Sequence, residues 1–69
     1  MTDITLTGQT WVAFGPIGAI GSVHRSSQGF TFKLLGDAHF RGTFDTLDAA
    51  KAALHAATGG SAWPEFREH

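Results

Sequence analysis

The sequence predicts an α+β domain, in which an antiparallel β-sheet of four to five strands forms a meander and one C-terminal α-helix packs on one face. Apolar and polar residues alternate with period two, most clearly over residues 30–34, which indicates strands. Turn-forming clusters at residues 26–29 and 36–37 separate neighbouring strands. A helix-start signal follows the last strand at residues 46–48.

Length and composition indicate one small folded domain. The chain has 69 residues, of which 42% are apolar and 16% charged, a balance typical of a globule rather than of a disordered chain. It contains no cysteine, which excludes disulfides and thiolate zinc ligands and favours a reducing compartment. Residues 1–7 lack the basic start and apolar run of a signal peptide, and no segment is apolar enough to span a membrane. We therefore expect a cytoplasmic protein with no membrane partner.

The first two strands are predicted on either side of a turn. Ile4 and Leu6 alternate with threonines, and Gly8-Gln9 follows as the turn. Trp11 begins a second run of strand-forming residues, which ends where Pro16 removes a ladder donor.

The central strands show the cleanest alternation. Phe30, Phe32 and Leu34 share one face of a strand, while Thr31 and Lys33 share the other. Short turns on both sides predict three antiparallel strands in sequence order.

The helix is predicted from its two ends and its apolar stripe. Thr46 is a good N-cap, Asp48 complements the helix dipole in the first turn, and Gly59-Gly60 is a natural stop. A narrow inner stripe lets the helix lie close to the sheet; it consists of Leu47, Ala50, Leu54 and Ala57. All predicted elements belong to one domain, residues 1–69: strands at about 3–7, 10–14, 19–25, 29–35 and 38–44, a helix at about 47–58, and an aromatic tail at 59–69.

The junction of the last predicted strand and the helix resembles a known family. Residues Phe40 to Thr46, followed by Asp48 to Ala50, are similar to the strand–helix junction of plant ethylene-response-factor DNA-binding domains, whose fold also occurs in arm-binding domains of phage-type integrases. The resemblance implies three antiparallel strands on one helix, with the exposed sheet face in the major groove of DNA. Phe40 lies where the family has a groove-facing tryptophan, and Arg41 lies where it has a buried leucine.

The C-terminal residues resemble a second group of proteins. Residues 63–69 are similar to the ends of small uncharacterised proteins from high-GC bacteria, some of which carry a methyltransferase label. The chain is too short for a conventional cofactor-binding methyltransferase fold.

Two surfaces are candidate binding sites. His24, Lys33, His39 and Arg41 are predicted on the outward sheet face, as a small basic patch for a polyanion or a protein partner. An uncovered sheet face in water also needs polar residues whatever its function, so both interpretations stay open.

The tail provides the second candidate surface. Trp63 and Phe66 either fold back over an apolar edge or anchor another protein.

The sequence shows no motif that indicates catalysis or metal binding. The four serines Ser22, Ser26, Ser27 and Ser61 show no nucleophile-elbow motif and no evident base. The histidines lack helical metal-ligand spacing and convincing carboxylate or cysteine partners. Glycines at every third position from Gly15 to Gly21 do not match a dinucleotide fingerprint. We therefore predict no metal and no cofactor.

The combined interpretation is a small non-enzymatic binding module of a bacterial type. Its predicted partner is another protein or a second copy of the chain. The alternative is a nucleic acid bound on the exposed face of the sheet, although the formal net charge of −1 provides no strong attraction for one.

Overall fold

The computed structural model describes residues 6–59 and 63–69 and, within them, the side chains from residue 8 onward. It contains a five-stranded antiparallel sheet and one α-helix, which confirms the predicted α+β class. In chain order the elements are β1 (Leu6–Gly15), β2 (Gly18–Ser26), β3 (Gly29–Leu34), β4 (Arg41–Phe44), α1 (Leu47–Thr58) and β5 (Glu65–Glu68). The strand order across the sheet is β4-β3-β2-β1-β5.

The two predicted N-terminal strands are one strand within the described residues. Gly8-Gln9 does not reverse the chain, since β1 continues through both residues. The pairing with β2 is irregular between Leu6 and Thr10, and Gly8 has φ 97°, a conformation that glycine adopts at little cost. The turn signal therefore marks a bulge in a continuous strand. Residues 3–5 of the predicted first strand lie outside the described residues.

The strands β2 and β3 lie close to their predicted positions, but β4 is shorter. It begins at Arg41 instead of residue 38. The Asp37 carboxylate accepts a hydrogen bond from the Leu34 amide at 2.9 Å, and the Asp37 amide donates to the Leu34 carbonyl at 3.0 Å. This turn holds the chain away from the ladder until Arg41 reaches it.

The tail contains a strand that sequence reasoning did not predict. Glu65 pairs with Phe14 and Arg67 with Val12, so β5 adds to the free edge of β1. The tail thus extends the sheet at its edge, and the helix is not the last element. The sequence did not predict β5 because a four-residue strand is too short to show a pattern and its pairing partner lies about fifty residues away.

The helix forms where the sequence predicts it. The Thr46 hydroxyl accepts a hydrogen bond from the Ala49 amide at 3.1 Å, which caps the N-terminus. Gly59 adopts the left-handed conformation with φ 68°, and its amide donates to the Ala56 carbonyl at 3.2 Å.

The hydrophobic core lies between the helix and one face of the sheet. Its fully buried members are Ala13, Val23, Phe32, Ala50 and Leu54. Close approach depends on Gly21, where an added Cβ would lie 2.7 Å from the Lys33 carbonyl oxygen and 3.3 Å from Leu54 Cδ1. The helix therefore covers one face of the sheet and leaves the other face open.

The described helix has 12 residues. A membrane span needs about 20, so no helix in the described part of the chain is long enough to cross a bilayer.

Candidate functional site

The open face of the sheet carries a group of polar side chains on its three central strands. Residues opposite each other in neighbouring antiparallel strands share a face. Thr10 lies opposite His24, which in turn lies opposite Thr31, and Ser22 lies opposite Lys33. We define the open face by these residues: Thr10, Val12, Ser22, His24 and Lys33. Thr31 projects from the same face but is fully buried, and its hydroxyl donates to the Gly42 carbonyl at 2.7 Å.

His24 is held between two hydroxyl groups on this face. Its Nε2 lies 2.7 Å from Ser22 Oγ, and its Nδ1 lies 3.1 Å from Thr10 Oγ1. Both ring nitrogens are therefore hydrogen-bonded, and the ring is fixed across β1 and β2.

Phe40 packs over this part of the open face from the segment before β4. Its ring lies edge-on to the His24 ring at 5.0 Å between centroids. Lys33 Nζ lies 5.3 Å from the centroid of the same ring, which is a cation–π contact. Lys33, Phe40 and His24 thus form one continuous cluster.

The surroundings of His24 favour its neutral form. Partial burial lowers the pKa of His24, and the positive charge of Lys33 lowers it further. Because the ordinary value is about 6.5, the ring is neutral at pH 7.

Arg41 lies on the edge strand and is already ion-paired. Its guanidinium contacts both carboxylate oxygens of Asp37, with Nε at 2.8 Å and Nη2 at 3.2 Å. The hydrogen bonds from Arg41, followed by that from the Leu34 amide, lower the pKa of Asp37. The sequence analysis predicted that the positive charge of Arg41 could bind a polyanion. In the structure, Asp37 already neutralises that charge.

His39 does not lie on a strand. The sequence places it on the open face because it predicts β4 from residue 38, but β4 begins at Arg41 and His39 lies exposed in the preceding segment. Of the four predicted patch residues, the structure brings together His24 and Lys33, through Phe40.

A cavity of about 290 Å³ adjoins the cluster on the open face. Val12 and Ala19 supply apolar walls, while Ser22, Lys33 and Asp37 supply polar ones. This depression therefore has both apolar and polar walls beside Ser22 and Lys33.

The β5 side of the open face carries a second cation that is also compensated. Arg67 binds the Glu65 carboxylate, with Nη2 to Oε1 at 3.0 Å. Its guanidinium carbon lies 5.2 Å from the centroid of the Phe14 ring. This edge therefore presents a paired charge over an aromatic ring.

The end of the sheet at the β1–β2 turn forms a different kind of surface. Leu35 follows β3, and its amide bonds to the Ile20 carbonyl near the start of β2. Trp63 precedes β5, whose first residue pairs with Phe14 near the end of β1. Ile17 lies at the tip of the turn itself. We call this surface the apolar end: Ile17 is 98% exposed, Leu35 76% and Trp63 60%.

The two aromatic residues of the predicted tail site have different environments. Trp63 is mostly exposed and contacts the His55 ring edge-on at 4.4 Å. Phe66 is half-buried against the core, and Lys51 Nζ lies 5.1 Å from its ring centroid. Of these two residues, Trp63 is the one with a mostly exposed side chain. Residues 60–62 of the tail lie outside the described part.

Sequence reasoning missed the contact between Ser22 and His24. It found no base near any serine, yet the two residues lie two positions apart on β2 and project from the same face. The spacing Ser-x-His within a strand was the available signal. Thr10 had no such signal, because only the pairing of β1 with β2 brings it to His24.

The fold and these surfaces define a small α+β domain with an open sheet face. Within the described residues, no group of three or more His, Cys, Asp or Glu side chains is placed to hold a metal ion. Comparison with protein-family models, curated proteins and solved structures gives no match.

Proposed function

We propose that this domain is a protein-interaction module and that it contacts its partner through the apolar end. The observation that carries the proposal is the position of Ile17, Leu35 and Trp63. These three large apolar side chains come from separate parts of the chain, are mostly exposed, and lie at the same end of one sheet. Exposed apolar groups of this size, with a tryptophan among them, are typical of protein contact sites.

The distribution of charge supports a protein partner over a polyanion. Arg41 and Arg67 are both ion-paired, and Lys51 lies over the Phe66 ring. On the open face, Lys33 and Asp37 line the same cavity. A nucleic-acid surface uses cations that are free to replace the counterions of phosphate.

The test places a photoreactive amino acid at each tip of the sheet. One variant carries p-benzoylphenylalanine at Ile17, and the control carries it at Gln28, the exposed tip of the β2–β3 turn at the opposite end. After irradiation in cells, we expect a protein adduct with the Ile17 variant and none with the Gln28 variant. Equal adducts from both positions would contradict a docking role for the apolar end.

A second copy of the chain is one candidate partner for this surface. Sedimentation of the purified domain distinguishes the two cases, because a homodimer through the apolar end dissociates when Ile17 and Trp63 are changed to Ser. A monomer that still forms an adduct in cells indicates a different protein.

The absence of cysteine leads us to propose the cytoplasm as the location of this domain.

Nucleic-acid binding is the second candidate function, and the pair of Lys33 and Phe40 favours it. A cation beside an aromatic ring on an open sheet face is an arrangement that single-stranded nucleic acids bind. This function predicts binding to a labelled oligonucleotide that weakens steeply with salt and is lost in the Lys33→Ala, Arg41→Ala double variant. Absence of binding at low salt would exclude it.

A further inference from the structure

The hydrogen-bonded residues on β1 and β2 have the order of a nucleophile, a base and a group that orients the base. Ser22 Oγ contacts His24 Nε2 at 2.7 Å, and Thr10 Oγ1 contacts His24 Nδ1 at 3.1 Å. We propose that Ser22 is a nucleophile activated by His24 and that it accepts the acyl group of a small ester bound in the adjoining cavity. This activity goes beyond the proposed protein contact, and its site adjoins the apolar end, since Leu35 also lines the cavity.

The hydrogen-bond geometry suits proton transfer from serine to histidine. A general base must lie about 2.6 to 3.2 Å from the atom whose proton it takes, and the Ser22–His24 distance lies in this range. In the tautomer with hydrogen on Nδ1, the ring donates to Thr10 Oγ1, and Nε2 accepts from the Ser22 hydroxyl. Thr10 is thus a positioning residue, which keeps the basic nitrogen directed at Ser22.

The charge state of His24 is compatible with this role. Burial and the charge of Lys33 both lower the pKa of His24, so the ring is neutral and able to accept a proton at pH 7. Only the neutral ring can act as the base.

The cavity supplies space for the substrate beside the nucleophile. Ser22 lines the cavity of about 290 Å³, and Val12 supplies an apolar wall for an acyl or alkyl group. Lys33 pairs with Ser22 in the ladder and lines the same cavity, so it is the cation that we assign to the developing negative charge. A cation there stabilises the oxyanion of a tetrahedral intermediate.

Acylation of Ser22 needs no reactant other than the ester. Ser22 Oγ forms a bond to the ester carbonyl carbon while its proton moves to His24 Nε2, and the carbonyl π electrons move to oxygen. The intermediate then collapses, the bond to the leaving alkoxide breaks, and the alkoxide takes the proton from Nε2. The product is an acylated Ser22, which water hydrolyses through the same base.

Because residue 10 is a threonine with a neutral hydroxyl, only some esters are expected to react. A neutral hydroxyl stabilises the imidazolium less than the carboxylate of a serine-hydrolase triad does. We therefore expect reaction with esters that have a good leaving group and a small acyl part.

The experiment mixes the full chain with p-nitrophenyl acetate at pH 8 and follows both p-nitrophenolate release and intact mass. We expect a burst of product with one acetyl group bound to Ser22, as located by peptide mapping. Ser22→Ala abolishes the adduct, and His24→Gln lowers its rate about 100-fold. The matched control Ser27→Ala changes a serine in the exposed β2–β3 turn and leaves the rate unchanged.

Two further measurements separate chemistry from folding. Thr10→Ser retains an acceptor for His24 and keeps acylation near the native rate, whereas Thr10→Val removes it and slows acylation. Native chain unfolded in urea shows no selective reaction at Ser22. If the folded native chain gives no adduct at Ser22, or reacts equally at Ser27, the proposal is wrong whatever the result at the apolar end.

Discussion

At the residue scale, His24 connects more of the open face than any other described side chain. It bonds to hydroxyl groups on its own strand and on β1, and it contacts the ring of Phe40. A charged imidazole would lose hydration here and would face Lys33. Its neutral state therefore follows from its position in the sheet.

A histidine titration followed by NMR checks this environment. We expect a His24 midpoint below about 6.5, the ordinary value for histidine. The Lys33→Ala variant removes a positive charge, so its His24 midpoint moves upward. A midpoint that is unchanged by Lys33→Ala would show that the two side chains do not interact.

Gly21 has no room for a side chain between the neighbouring strand β3 and the helix residue Leu54. A Gly21→Ala methyl group would lie 2.7 Å from the Lys33 carbonyl oxygen, which is backbone and cannot swing aside. We expect a loss of about 1 to 3 kcal/mol in the free energy of unfolding, measured by urea denaturation. Gly15→Ala is the control, because its methyl group meets the flexible Ile20 side chain at 3.2 Å and costs less.

At the element scale, the helix docks through a narrow stripe of small residues. Ala50 and Leu54 are its two fully buried positions, and Leu54 reaches Gly21 on β2. Ala50 and Gly21 add little side-chain bulk at this contact, and Leu54 is the largest fully buried side chain among the described residues.

Shortening Leu54 should therefore destabilise the fold. We expect Leu54→Ala to cost about 2 to 5 kcal/mol, which is a large share of the stability of a domain this small. Leu35→Ala makes the same chemical change at an exposed leucine and is expected to leave the melting temperature nearly unchanged. Similar melting temperatures for the two variants would contradict the docking described above.

Also at the element scale, β5 joins the C-terminal segment to the sheet. It pairs with residues Trp11 to Phe14, while Phe66 packs against the core. The C-terminal segment thus contributes both ladder hydrogen bonds and apolar burial. It also covers part of an edge of β1 that would otherwise be open to another strand.

At the scale of the whole molecule, the sheet separates two environments. The core and helix occupy one face, and the polar cluster with its cavity occupies the other. The apolar end lies across both, since Trp63 contacts the helix residue His55 while Leu35 lines the cavity. A partner bound at this end would therefore lie near the entrance to the Ser22 site.

The open face also makes the stability of the fold depend on pH. The pKa of His24 is lower in the folded state than its unfolded value of about 6.5. Protons therefore bind the unfolded chain more tightly. The stabilising contribution of neutral His24 is complete above about pH 6.5 and is lost as the pH falls through the lowered folded-state value.

Thermal unfolding between pH 8 and pH 5 measures this effect. We expect the melting temperature to fall below about pH 6.5, and to fall less in the His24→Gln variant. A slope in the His24→Gln variant equal to that of the native chain would mean that His24 does not couple to folding.

Sequence patterns predicted much of the fold because the relevant signals are local. Thr46 and Gly59 mark the helix ends through hydrogen bonds to residues three positions away, and the alternation around Phe32 follows from the two-residue period of a strand. The Gly8 signal was misread because a glycine with positive φ serves a bulge as well as a turn.

The candidate site depended more on distant contacts. Asp37 neutralises Arg41 only because the turn after β3 brings the two side chains together, and Thr10 reaches His24 only through the pairing of β1 with β2. Neither contact has a periodic signature along the chain.

The sequence by itself thus determined the α+β class, the limits of the helix and the face that β3 buries. These properties depend on side-chain alternation and capping within a few residues. Only the tertiary structure decided that the tail forms β5, that Arg41 is ion-paired, and that Ser22, His24 and Thr10 form one hydrogen-bonded group. The physical reason is that strand pairing brings together residues that are far apart in sequence, and it does so through backbone hydrogen bonds that any side chain permits.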